Sequence, residues 1–152
     1  MKKQAYVCLE EMMPLIEEAL GTGQSIRIHP YGISMLPMLH EGRDSVVLSS
    51  VKKIKKYDII LYQREKGKYV LHRVVGVGDT YTCIGDNQYV LEKGIAPEQV
   101  IAVCTAFTRN GRDYSADSFK WRFYAVIWHY SRFPRRVLRG VRRRIIRLFG
   151  KK

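Results

Sequence analysis

Three observations predict an α+β fold: a hydrophobic period that changes along the chain, the positions of turn residues, and a one-sided distribution of charge. Apolar residues recur at helical spacing near the N-terminus, the middle breaks into short β-branched runs, and the last 34 residues return to a helical pattern rich in arginine. The organisation this predicts is an N-terminal helix over 1–22, a β-rich body over 23–112, and a basic amphipathic helical extension over 113–152. A chain of 152 residues is long enough for one domain with a real core. Its 46% apolar and 27% charged content is that of a globular protein.

The first helix is read over Lys3 to Leu20. Leu9, Met12, Met13, Ile16, Ala19 and Leu20 fall at three-to-four spacing, and Glu10, Glu11, Glu17 and Glu18 take the rest of the circumference. Pro14 removes a backbone donor and either kinks the helix or marks its start. "GTG" at 21–23 ends it. Six strand candidates follow: "SIRIHP", "DSVVLSS", "YDIILYQ", "KYVLHRVVGV", "TYTCIG" and "QVIAVCTAFTR". "REKGK" at 64–68 reads as the turn between two of them, and together they imply an antiparallel or mixed sheet. In the tail, Asp117 or Ser118 is placed to cap a first helix and Pro134 to separate it from a second. There Val137, Leu138, Val141, Ile145, Leu148 and Phe149 share one face while arginines cover most of the remainder.

The net charge of +13 is not spread evenly. Residues 1–118 hold 15 Lys+Arg against 14 Asp+Glu, whereas residues 119–152 hold 12 Lys+Arg and no acid. The body is nearly neutral and the tail carries almost all of the charge. Cys8, Cys83 and Cys104 are odd in number and far apart, without a Cys-x-x-Cys pair or zinc spacing, so reduced thiols, no metal and no cofactor are expected. "YVCLEEMMPLIEEAL" is too acidic for the apolar centre of a signal peptide, and no run approaches a bilayer span. A cytoplasmic protein, peripheral at the inner membrane surface, is the expectation.

Four short pieces stand in order: "GISMLPML" (32–39), "YDIILYQ" (57–63), "LHRVV" (71–75) and "IGDNQ" (84–88). Within them Ser34-Met35-Leu36-Pro37, Tyr57-Asp58-Ile59-Ile60, His72-Arg73-Val74 and Gly85-Asp86-Asn87 resemble the catalytic boxes of the signal peptidase and SOS-repressor superfamily of serine peptidases. The nearest match is the branch with a Ser/His pair, known from the endoplasmic reticulum, archaea and some Gram-positive bacteria. The resemblance covers residues 25–107, essentially the β-rich body. It implies a signal-peptidase/repressor-like fold and proteolysis through an acyl-serine, with Ser34 as nucleophile and His72 as base. The members of the superfamily that use a lysine base differ here, because the aligned position is His72. The membrane anchor of signal peptidases has no counterpart in this sequence, which points away from the standard secretory role and toward leader-peptide processing.

Each match also has its own physical reading. Gly32 permits backbone angles that a side chain forbids, and Pro37 stiffens the exit, so Ser34 can sit on a tight turn. Backbone N–H groups around that turn, at Gly32 and Met35, are placed to donate to an oxyanion. His72 lies in a strand, a rigid seat for a base whose ordinary pKa suits neutral pH. A carboxylate would fix its tautomer, and two are open: Asp86, in the intact Gly-Asp-Asn motif, and Glu92, at the place where the Ser/His branch carries a later aspartate. His29 is the reserve base, and Asp58 reads as a structural residue at a strand start. The bland alternatives are a turn serine at 34, a packed or solvent-facing histidine at 72 and a plain hairpin at 86–87.

The substrate would be a peptide or protein segment bound as an extended strand. The tail, 119–152, suits an anionic membrane surface or an acidic partner. Specific nucleic-acid binding is not expected, because the neutral body holds no reading module. The rival reading is a non-catalytic regulator or binding module that keeps the peptidase fold and acts through its basic tail.

Overall fold

β-Branched runs separated by turn residues become eight strands, and in the computed structural model, which describes residues 9–65 and 67–149, every strand pairing is antiparallel. The elements are α1 (Leu9–Gly21), β1 (Ile26–Ile28), β2 (Ser45–Ser49), β3 (Ile59–Glu65), β4 (Lys68–Val77), β5 (Tyr81–Ile84), β6 (Glu92–Ile95), β7 (Val100–Arg109), β8 (Arg112–Ser115), α2 (Phe119–Tyr130) and α3 (Arg132–Phe149). The protein is therefore of mixed α+β class. The sheet runs β1-β2-β7-β3-β4-β5-β6, and β8 pairs with the C-terminal half of β7.

The six strands read from the sequence are β1 to β5 and β7. Two more, β6 ("EKGI") and β8 ("RDYS"), carry charged and small residues of low strand preference and form because neighbours supply their ladders. For β8 a local signal existed: Asn110 and Gly111 both have positive φ, 52° and 72°, the pairing of turn residues that closes a tight hairpin. The expected start of the first helix at Lys3 lies outside the described residues, as do Cys8 and Lys66. So do the side chains of Leu148 and Phe149. Pro14 is accommodated inside α1, which closes with Gln24 N–H on the Ala19 carbonyl at 2.8 Å. Pro134 sits in the first turn of α3, where a missing N–H is tolerated, and the break between the two C-terminal helices falls at Ser131. Ser118 is the N-cap of α2, yet its side chain makes no capping bond.

Two cores result from period-two alternation in the central strands. The larger joins Met13 and Ile16 of α1, Met35, Met38 and Leu39 of the loop after β1, Ile59, Leu61, Leu71 and Phe107 of the sheet, and Trp121 of α2. The smaller lies with the alternate residues: Ile60, Tyr62, Val74, Cys83 and Ile95, together with Ile54. Buried Asp44 locks the corner before β2. It accepts from the backbone N–H groups of His40 (2.9 Å) and Asn110 (3.1 Å) and from Arg43, which hold its pKa down at about 2 against the opposing effect of burial. Cys83 and Cys104 are free and buried, and burial pushes both thiols up to about 12. Among the described residues no helix is long and apolar enough to cross a membrane, and no cluster of His, Cys, Asp and Glu is arranged to hold a metal ion.

Candidate active site

Gly32 has φ 93°, a conformation that favours glycine, and its N–H donates to Glu41 Oε2 at 2.9 Å. The chain then turns back on itself through 33–39, with Met35, Met38 and Leu39 anchored in the larger core. Half-buried Ser34 lies in this bend. Its carbonyl accepts the Asn87 N–H at 2.8 Å, and the Asn87 side-chain amide donates to the Ile33 carbonyl at 3.1 Å. Gly85 completes the clamp: a Cβ there would lie 2.6 Å from the Ser34 carbonyl oxygen, so the close approach of the two backbones requires glycine. The Gly-Asp-Asn segment is thus built against the serine loop through its glycine and its asparagine. The N–H groups of Ser34 and Met35 make no hydrogen bond among the described residues, which leaves both as donors on the bend.

His72 sits in the middle of β4, opposite Ile60 of β3 and 2% exposed. Its Nδ1 lies 3.0 Å from Glu92 Oε1. Glu92 opens β6 and is held in place by two residues of β3: the Tyr62 hydroxyl donates to Oε2 at 2.6 Å, and Arg64 forks across both carboxylate oxygens. Burial would raise the Glu92 pKa, but the bonds from Arg64 and Tyr62 and the neighbouring His72 hold it below the usual carboxylate value. For His72 burial dominates and lowers the pKa, with the Glu92 charge opposing it. The imidazole is accordingly neutral at pH 7, and a proton on Nδ1 facing Glu92 leaves Nε2 as the basic nitrogen.

Asp86 does something else. Both of its oxygens receive the Arg73 guanidinium, at 2.8 Å from Nε and 2.7 Å from Nη2, in a pair almost wholly buried. Arg73 also donates to the Tyr57 carbonyl (3.0 Å) and contacts Met38 Sδ (2.7 Å). Asp86 makes no hydrogen bond to His72; of the two carboxylates, Glu92 is the one brought to it. Asp58 accepts the Lys55 N–H at 2.8 Å and pairs with Arg122 of α2, so it fixes a loop and a helix. His29 points its Nδ1 at the Asp44 carbonyl, 3.2 Å away, and takes a structural contact. Tyr62 and Arg64 are the site residues that motif reading passed over. Their signal was alternation: residues 60, 62 and 64 share a side of β3, and the register sets Ile60 against His72.

Ser34 and His72 are not hydrogen-bonded to each other in this structure. Ser34 lines an apolar hollow of about 600 Å³ formed by Leu9 and Met12 of α1, Ile28, Met35 and the β4 segment Tyr69–Leu71. Glu92 borders a second, more open hollow with Tyr62, Arg64, Tyr89 and Gln99. Beside the first hollow, β4 has one edge unpaired among the described residues, since β5 pairs with it only from Arg73 onward.

No protein-family model matches the chain, and no curated protein matches its sequence. The likeness to signal peptidases therefore stands on the four motifs quoted above.

Proposed function

We propose that the protein is a serine endopeptidase of signal-peptidase-like type, with Ser34 as nucleophile, His72 as base and Glu92 as the residue that orients the base. The contact that carries this reading is the 3.0 Å pairing of Glu92 with His72 Nδ1, on the strand whose free edge borders Ser34. In the proposed reaction Ser34 Oγ attacks a peptide carbonyl while its proton passes to His72 Nε2. The N–H groups of Ser34 and Met35 receive the oxyanion. Collapse of the tetrahedral intermediate breaks the C–N bond, and His72 returns the proton to the departing amine. Water, deprotonated by the same imidazole, then releases the acyl group and restores Ser34. A peptide would extend the sheet along residues 68–72 and place an apolar side chain in the hollow lined by Leu9, Met12 and Leu71. A leader segment of a small precursor is a substrate of that kind.

Cleavage of an extended-peptide library by the full chain, with Ser34→Ala and His72→Ala as controls, tests this reading. Cleavage abolished by both changes, with preference for a bulky apolar residue beside the scissile bond, is the expected result. A specific observation favours a second reading, a binding module that no longer cleaves: Ser34 and His72 make no mutual hydrogen bond here. Catalytic hydrogen bonds commonly tighten only once substrate is bound, so peptide binding without cleavage is the result that selects the second reading.

A further inference from the structure

Both C-terminal helices leave large apolar residues facing outward. On α2, Trp121 and Ala125 are buried against the body and Trp128 donates its Nε1–H to the Asp86 carbonyl at 2.7 Å. The opposite side carries Phe119, Phe123, Ile127 and Tyr130, which are 83%, 55%, 50% and 68% exposed. On α3 the arrangement is the reverse of a core helix. It is the arginine side that meets the body: Arg135 lies over the Trp128 ring at 3.5 Å, Arg139 donates to Asn87 Oδ1 at 2.9 Å, and Arg136 and Arg139 lie near the Tyr89 ring. Val137, Leu138, Val141 and Ile145 face away, 49% to 66% exposed.

An outward apolar stripe flanked by arginines, on a helix with eight arginines and no acid, is unfavourable in water alone. It matches a surface that offers hydrocarbon and negative charge within one plane. We propose that α2 and α3 form a docking face for an anionic lipid surface, with the apolar stripe entering the headgroup boundary and the remaining arginines contacting lipid phosphates. Polyanionic nucleic acid would satisfy the arginines and leave the stripe in water, so the stripe decides for lipid. The reverse, body-facing side of the same helices touches the peptidase-like site. Arg139 and Trp128 hold Asn87 and Asp86, the segment that clamps Ser34, so docking would tie that segment to the membrane-bound helices. The docking proposal stands on charge and exposure and does not depend on Ser34 being a nucleophile.

Co-sedimentation of the full chain with phosphatidylcholine vesicles, with and without phosphatidylglycerol, tests it. Binding is expected only with the anionic lipid. Replacing Val137, Val141 and Ile145 by Ala leaves every charge in place and raises helix propensity, so loss of binding cannot come from melting α3. That variant is expected to bind anionic vesicles roughly tenfold more weakly or worse. Arg142→Gln with Arg147→Gln is expected to weaken binding by a comparable factor and to remove part of its salt dependence. Failure of the wild type to bind anionic vesicles overturns the proposal. So does equal binding by the triple-alanine variant, which would leave only nonspecific charge, and so does displacement from vesicles by mixed-sequence duplex DNA at equal phosphate concentration.

Discussion

His72 and Arg73 are neighbours in β4, and each holds one carboxylate, but the two pairs differ in kind. Arg73–Asp86 is sealed, with side chains 5% and 2% exposed, and every contact it makes is to other parts of the fold. His72–Glu92 is half open: the imidazole is buried, while the carboxylate is 19% exposed and borders a hollow. Alternation in a strand sends consecutive side chains to opposite faces, so adjacent motif residues enter different environments and take different work. An ion pair with no exit suits a structural lock between β4, the loop after β5 and Met38. A titratable pair whose carboxylate borders a hollow is the less sealed of the two.

The largest effect that would break this contrast is kinetic. Under the peptidase proposal Glu92→Gln, which keeps shape and removes charge, is expected to lower kcat by roughly 10³–10⁴ while Tm moves little, by analogy with removal of the orienting carboxylate from a triad. Steady-state cleavage assays and thermal melts together check it. Next is Asp86→Ala, which leaves the Arg73 guanidinium buried and unpaired and is expected to destabilise the fold by about 3–5 kcal/mol. Urea titration measures this, and a variant that melts normally but does not cleave would exchange the roles assigned to the two carboxylates. Gly85→Ala follows, at about 1–3 kcal/mol, because the added Cβ meets the Ser34 carbonyl. A crystal structure of the variant is expected to show the Ser34 loop displaced.

The smallest effect is on pH dependence and sharpens the contrast instead of breaking it. The folded pKa of His72 is lowered from 6.5, so below that value the unfolded chain binds the extra proton and stability falls as pH falls, until the folded histidine also titrates. Glu92, lowered from 4.5, adds a separate loss in the acid range below that value. His72→Gln should remove its share of the first window, leaving the part that His129, also lowered by burial, contributes, and should leave the second. The acid limb of kcat/KM should likewise inflect below 6.5, since the reaction needs the neutral imidazole.

Much of the architecture was readable from period alone. The strands with continuous β-branched runs, β2, β3, β4 and β7, declare themselves because their own residues prefer an extended, buried backbone. β6 and β8 escaped because their stability comes from partners supplied by distant chain. The four motifs brought Ser34, His72, Gly85 and Asp86 to notice, and Gly85 could be understood only when its missing Cβ was seen to admit the Ser34 backbone. Glu92 was open as one of two carboxylates, and the choice between them lay beyond local reasoning. Both are acids a few residues apart, and only strand register and the loop between β5 and β6 determine which arrives at His72.

By itself, then, the sequence determined the α+β class, the strongest strands, the neutral body and the basic amphipathic tail, all properties set by residues near one another in the chain. Tertiary structure decided that Asp86 serves Arg73, that Tyr62 and Arg64 hold Glu92, and that α3 turns its arginines inward and its apolar stripe to solvent. Those outcomes depend on which surfaces meet when the chain closes, and meeting is decided by the packing of the whole molecule, not by the preference of any segment.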